Sequence, residues 1–125
     1  MTNARRLIAV VDDEESVRRA LARMLRARGF DVETFSSGQL FLESLKTGRP
    51  DCLVLDVQMP GLTGRDVQRQ LAKSQPELPT IVITAHDRPA VREQALADGA
   101  IAYLSKPLRG DALISLIDSV VGQSP

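Results

Sequence analysis

Cys52-Leu53-Val54-Leu55-Asp56-Val57-Gln58-Met59-Pro60-Gly61 lies near the middle of the chain and sets its architecture. Four apolar residues run into a single aspartate, a Met-Pro-Gly turn follows, and Thr63-Gly64 comes soon after. A short unbroken apolar run bounded by turn residues suits a strand buried on both faces, as in a parallel sheet covered by helices. Asp56 leaves such a strand at its C-terminal end. In open α/β sheets, ligand chemistry collects at that edge. A carboxylate beside an apolar core is costly unless it is solvated, paired or bound to metal, so Asp56 needs a chemical reason.

Towards the N-terminus, Leu7-Ile8-Ala9-Val10-Val11 reads as a second buried strand and ends in Asp12-Asp13-Glu14-Glu15. Val17, Ala20, Leu21, Met24 and Leu25 then recur with the period of an amphipathic helix. Glu14–Arg18 and Glu15–Arg19 are i, i+4 pairs in the favourable order, and Gly29 stops the helix. Asp31-Val32-Glu33-Thr34-Phe35 alternates polar and apolar, as an edge strand does. Ser36-Ser37 caps a second helix through Leu45, with Phe41, Leu42 and Leu45 facing in.

Towards the C-terminus, Thr63 caps a third helix, with Asp66 in place of the usual Glu of a capping box. Thr80-Ile81-Val82-Ile83 is a buried strand ending at Thr84-Ala85-His86. Pro89 suits the first turn of a fourth helix running to Asp98, with Gly99 after it. Val91, Ala95 and Leu96 are its only apolar anchors, so it is the least firmly held helix. Ala102-Tyr103-Leu104 makes a fifth strand, and Ser105-Lys106-Pro107 follows. Leu113, Ile114, Leu116, Ile117, Val120 and Val121 line the last helix, and residues 122–125 form a polar tail. Five strands alternating with five helices imply right-handed crossovers and a doubly wound α/β fold of the flavodoxin-like kind. The expected sheet is parallel, in the order 2-1-3-4-5. Its switch point lies between the first and third strands, where Asp12, Asp13 and Asp56 meet. Thr84 and Lys106 leave the fourth and fifth strands on the same edge.

The 125 residues make a single domain, with a core expected over about 7–121. The 16 basic and 16 acidic residues balance, so the chain lacks the footprint of a nucleic-acid binder and is not expected to bind nucleic acid directly. No apolar stretch approaches the about 20 residues needed to cross a bilayer, and Leu7 to Val11 is shorter than the about 7–15 residues of a secretory core segment. The single cysteine, Cys52, excludes an internal disulfide and fits a reducing cytoplasm. Placed in the apolar run, it reads as a small buried hydrophobe.

Three crowded carboxylates repel one another, which raises their pKa or recruits a cation. Oxygen ligands from carboxylates, a backbone carbonyl and water suit Mg²⁺. Lys106 adds an ammonium and Thr84 a hydroxyl. A metal, an ammonium and a hydroxyl around one free carboxylate are what a phosphoryl group needs.

At this point the sequence resembles a known family. Asp12-Asp13, Asp56 with Met59-Pro60-Gly61 and Gly64, Thr84-Ala85 and Lys106-Pro107 match the receiver domain of two-component response regulators, from about Leu7 to Val121. Val11-Asp12-Asp13-Glu14 and Pro79-Thr80-Ile81-Val82-Ile83-Thr84 look like receivers of the nitrogen-fixation regulator FixJ type. One departure is Leu108, where many such receivers carry Phe.

The resemblance implies that Asp56 is the phosphoryl acceptor, charged by a phosphohistidine on a sensor histidine kinase or phosphotransfer protein. It implies that Asp13 binds Mg²⁺ directly and Asp12 mainly through water, with the Gln58 backbone carbonyl completing the protein ligands. Lys106 would contact the phosphoryl oxygens. Thr84 would move towards them, and Tyr103 would turn into the space left. Lys106-Pro107 would be a cis peptide. Gln58 and His86 occupy positions that tune dephosphorylation in the family; His86 also reads as an ordinary solvated loop residue. The output would be a change in the surface made by the fourth helix, fifth strand and fifth helix, through which phosphorylated receivers dimerise. Arg19, Arg23 and Arg26 form a solvated basic helix face, with kinase docking as the alternative.

Other classes of function stay open. A Mg²⁺-dependent phosphohydrolase working through a phospho-aspartate usually carries an acid two residues past its nucleophile, where this chain has Gln58. A receiver-shaped interaction module that is never phosphorylated would not need Asp12, Asp13, Asp56, Thr84 and Lys106 together. The sequence ends shortly after Val121, which favours a single-domain response regulator over a receiver cut from a DNA-binding regulator.

Overall fold

The computed structural model describes residues 5–58 and 63–121. Its elements alternate throughout. β1 (Leu7–Val11), β2 (Asp31–Phe35), β3 (Cys52–Asp56), β4 (Thr80–Thr84) and β5 (Ala102–Ser105) form the strands. α1 (Glu15–Ala27), α2 (Gly38–Ser44), α3 (Gly64–Ser74), α4 (Pro89–Ala97) and α5 (Gly110–Val121) form the helices. The strands build one sheet in the order β2-β1-β3-β4-β5, every neighbour parallel. The expected doubly wound fold and strand order are therefore present. Among the described residues no helix is long and apolar enough to cross a membrane.

Side-chain alternation along the strands divides the core into two layers. Ile8, Val10, Cys52, Val54, Ile81 and Ile83 face α1 and α5, where they meet Leu21, Leu25, Leu113 and Ile117. Ala9, Val11, Leu53 and Leu55 face the other way, onto Phe41 of α2 and Val67 and Leu71 of α3. Val82 points to that same side but packs on Ala95 and Ala100, with Val57 and Tyr103 beside them. β3 and β4 are buried along their whole length, which is why their sequences read as unbroken apolar runs. The edge strand β2 buries only Val32 fully.

Local chemistry fixes the element ends. The Thr63 hydroxyl accepts the Asp66 N–H at 3.2 Å, and the Asp66 carboxylate accepts the Thr63 N–H at 3.1 Å, closing the expected capping box. The Ser37 hydroxyl caps α2 through the Leu40 N–H. Gly29 and Gly99 adopt positive φ, and each closes a Schellman turn: Phe30 N–H reaches the Leu25 carbonyl, and Ala100 N–H reaches that of Ala95. Asp51 ties β1 to β3, since its carboxylate accepts the Leu7 N–H at 2.8 Å while its own N–H donates to the Leu7 carbonyl.

Three expectations need correction. Ala20 is exposed, and Ala22 is the small residue that α1 buries. The α1 stripe is Val17, Leu21, Ala22, Met24 and Leu25, because the helix meets the sheet on a face centred nearer Leu21 and Leu25. Leu96 is 40% exposed and anchors nothing, so Ala95 is the one buried residue of α4. Glu15 and Arg19 do pair, at 3.7 Å on the surface, but Glu14 and Arg18 do not. Glu14 precedes the first helical turn and reaches Lys106 instead, while Arg18 donates to the Asp12 carbonyl at 2.8 Å. The Met59-Pro60-Gly61 turn and the tail over 122–125 lie outside the described residues.

Gly64 opens α3 directly against the end of β3. A Cβ there would fall 2.7 Å from the Asp56 carbonyl oxygen and closer still to the Val57 backbone. Gly64→Ala should therefore displace the start of α3 and cost about 1–3 kcal/mol, the usual range for overpacking a fixed site. Chemical denaturation measures it; an unchanged midpoint would show that this contact is not tight.

Candidate functional site

The crevice at the C-terminal edge of the sheet is built by three strand ends. β1 delivers Asp12, β3 delivers Asp56, and the β5–α5 connection delivers Lys106. Asp12 and Asp56 share strand parity with the α1-facing layer, so both carboxylates emerge on the same side of the sheet. Asp12 is completely buried and Asp56 nearly so, whereas Asp13 is exposed. One carboxylate oxygen from each of Asp12, Asp13 and Asp56 lies within 4.8 Å of the others.

Backbone turns hold the two buried acids. Asp12 Oδ1 accepts the Glu14 N–H at 2.9 Å, and Asp56 Oδ1 accepts the Gln58 N–H at 2.9 Å. Each aspartate therefore spends one oxygen on its own loop and turns the other towards the crevice. Lys106 Nζ stands there, 2.9 Å from Asp12 Oδ2, 3.2 Å from Glu14 Oε1 and 3.5 Å from Asp56 Oδ2. The approach to Asp12 is close enough for an ion pair but misaligned for a hydrogen bond, which leaves Asp12 Oδ2 a buried acceptor without a donor. The Lys106–Pro107 peptide is cis, and the Lys106 N–H donates to the Thr84 carbonyl at 2.7 Å. These features aim the ammonium into the crevice.

Electrostatics follow from this crowding. Burial pushes the Asp56 pKa above its ordinary value. The Gln58 N–H opposes that rise, the neighbouring Asp12 charge adds to it, and Lys106 again opposes it. For Lys106, burial disfavours the ammonium, but Asp12, Asp56 and Glu14 outweigh burial and hold its pKa above the usual lysine range. The Asp12, Asp13 and Asp56 oxygens are hard ligands with a spare buried lone pair on Asp12, a donor set that fits a small divalent cation.

The other expected residues stand further out. Thr84 is fully buried, and its hydroxyl accepts the His86 N–H at 3.0 Å, a bond within its own loop. The His86 side chain is exposed, as is that of Gln58. Tyr103 is half-buried, with its hydroxyl sealed from solvent and no well-formed hydrogen bond. Burial, then the nearby Asp87 carboxylate, raises its pKa. Glu14 is the crevice residue that sequence reasoning assigned elsewhere. Its helical spacing to Arg18 suggested a surface pair, whereas the contact it makes is with Lys106, 92 residues away in the chain.

Comparison with known proteins agrees with this geometry. Residues 8–118 match the response regulator receiver domain family. The response regulator protein TodT of Pseudomonas putida is 34% identical over 125 residues, covering 100% of this chain and 55% of that one. The chain thus spans about half the length of that curated relative. Among solved structures, a response regulator receiver protein from Burkholderia phymatum superposes with a TM-score of 0.85 at 47% identity, over 96% of this chain and 98% of that one. The FixJ-N crystal structure gives 0.86 at 32% identity, over 100% and 98%.

Asp56→Asn should stabilise the metal-free protein at neutral pH. A carboxylate whose pKa is raised on folding binds more protons folded than unfolded, so its ionisation lowers stability as pH rises above the unfolded value of 3.8. Removing the charge removes that loss, and about 1 kcal/mol would raise the thermal midpoint by about 2–8 °C. Thermal unfolding of both proteins between pH 4 and 8 without Mg²⁺ checks this; a lower midpoint for the variant at pH 7 would contradict a burial cost on the Asp56 carboxylate.

Proposed function

Because the chain belongs to the response regulator receiver domain family, we propose that it is a phosphorylation-activated switch whose acceptor is Asp56. The observation that supports this most is the pairing of Asp56 with Lys106 across a crevice that also presents Asp12 and Asp13. Asp56 Oδ1 is tied to the Gln58 N–H, while Oδ2 faces Lys106. The carboxylate is held in a fixed orientation, with a cation beside the place where phosphoryl oxygens would sit.

In the proposed reaction, a carboxylate oxygen of Asp56 attacks the phosphorus of a phosphohistidine on a sensor histidine kinase or phosphotransfer protein. A P–O bond forms to Asp56, the P–N bond breaks, and the departing imidazole takes up a proton. Mg²⁺, held by Asp12, Asp13, Asp56 and the Gln58 carbonyl, would supply charge neutralisation when bound. Lys106 would leave its carboxylate partners for a phosphoryl oxygen. Thr84 would exchange its bond to the His86 N–H for one to the phosphoryl group. Tyr103, whose hydroxyl has no firm partner to lose, is suited to a change of position. His86 and Gln58 flank the site from exposed positions, where each would influence how water reaches the acyl phosphate.

The new dianion would then bias the surface of α4, β5 and α5, because Thr84 and Lys106 head the two loops that lead into it. A homodimer through that surface belongs to this reading. So do a cytoplasmic setting, suggested by the single buried cysteine, and slow loss of the phosphoryl group without substrate turnover. A phosphohydrolase is less well supported, since the exposed Gln58 offers no acid two residues past Asp56.

Incubation with acetyl phosphate and Mg²⁺, followed by intact mass, tests the reading. The wild-type chain should gain one phosphoryl group, and Asp56→Asn should gain none. Continuous release of phosphate from a substrate would indicate a hydrolase, and no mass gain would indicate an inert interaction module. Phosphorylation of Asp56→Asn at the wild-type rate would remove Asp56 from the role.

A further inference from the structure

α4 has little apolar hold, since Ala95 alone among its nine residues is buried. Its polar moorings lie at the C-terminal end, and two of them come from α3. Gln68 is only 3% exposed, and its Nε2 donates to the Ala95 carbonyl at 3.0 Å. That carbonyl also accepts the Ala100 N–H, so Gln68 fills its second lone pair. Arg65 Nε donates to Asp98 Oδ2 at 3.1 Å, and Gln94 Nε2 reaches Asp98 Oδ1 at 3.2 Å. A carboxylate at a helix C-terminus opposes the helix dipole, and Arg65 offsets that cost from the neighbouring helix. Among the described residues, no side-chain hydrogen bond or ion pair holds residues 89–93 of α4. Arg88, the N-cap, makes no side-chain capping bond, and residues 85–90 are all exposed.

Stability alone does not explain the buried amide. Gln68 Oε1 is sealed from solvent without a donor, which is costly, and an apolar side chain of similar length would fill the space without that cost. What the amide contributes is the bond to α4.

We propose that Gln68, assisted by Arg65, is a positioning residue that makes the C-terminal end of α4 a fixed pivot, so that a phosphoryl group on Asp56 moves the N-terminal half of the helix. The inference rests on the reading above that α4 belongs to the output surface. It assigns the direction of the motion and the residues that restrain it.

Hydrogen exchange on the full chain, with and without a beryllofluoride phosphoryl mimic and Mg²⁺, tests it. In the unactivated wild type, amides of residues 90–93 should exchange faster than those of 94–100. Gln68→Met should raise exchange over 94–100 by about fivefold, the effect of losing one ordinary hydrogen bond. Its denaturation midpoint should hold or rise, because the orphaned oxygen is lost too. Arg65→Met should give a smaller rise in the same segment. With the mimic, wild-type changes should concentrate in 85–93, whereas in Gln68→Met they should spread through all of α4 and the mimic should bind several-fold more tightly. Unchanged exchange over 94–100 in Gln68→Met, or an equal rise in α1, would overturn the pivot. The expected rise in Gln68→Met, combined with a mimic that moves no α4 amide in either protein, would leave the restraint standing and overturn the assigned output surface.

Discussion

One ammonium shared among three carboxylates is the interaction on which the site depends. Lys106 Nζ lies within 3.5 Å of Asp12, Glu14 and Asp56; it donates to Asp56 at the long end of hydrogen-bond range and leaves Asp12 Oδ2 without a well-aligned donor. In water such a cluster would disperse. Here β1, β3 and the bond from the Lys106 N–H to the Thr84 carbonyl hold it in place, and the low-dielectric floor of the sheet keeps the repulsion between Asp12 and Asp56 strong. The resting crevice therefore carries more negative charge than its one cation offsets. A site in that condition favours a second cation, and under the proposed function a phosphoryl group would follow it. The same crowding that raises the Asp56 pKa thus makes the crevice chemically receptive.

The sheet makes this juxtaposition rigid. Asp12 and Asp56 end adjacent parallel strands, with Val11 opposite Leu55, and both layers of core behind them are closely packed. Gly64 brings α3 against the back of the Asp56 peptide, so β3 is bounded on that side by backbone. The other side of the molecule is held differently. β5 is an edge strand with no fully buried residue, and α4 rests on Ala95 and on polar contacts from α3. The fold thus combines a firmly packed Asp56 strand with a weakly held neighbour, the combination a switch requires, because elements that move are drawn from the weakly held part of a structure.

Much of this was legible in the sequence. The runs 52–55 and 80–83 are apolar without interruption because both faces of those strands are covered, and the alternation in 31–35 marks an edge. Strand order followed from that contrast, and the order alone placed Asp12, Asp13 and Asp56 together. The Thr63–Asp66 capping box and the glycine stops at Gly29 and Gly99 were readable because their chemistry is local. What could not be read depends on tertiary contact. The rotation of α1 on the sheet decides between Ala20 and Ala22, and helical periodicity tolerates either. The Glu14–Lys106 contact spans 92 residues and competes with a plausible local pair. Gln68 resembles any polar helix residue until α4 is placed against it.

An excess of negative charge in the crevice should be relieved by a divalent cation. Thermal unfolding of the wild type and of Asp13→Ala across a Mg²⁺ titration tests this most directly. Binding to the folded state alone at about 100 times the dissociation constant adds about 2.7 kcal/mol. The wild-type midpoint should rise clearly with Mg²⁺, and that of Asp13→Ala should respond much more weakly. A wild-type midpoint indifferent to Mg²⁺, or an equal rise in both proteins, would contradict it.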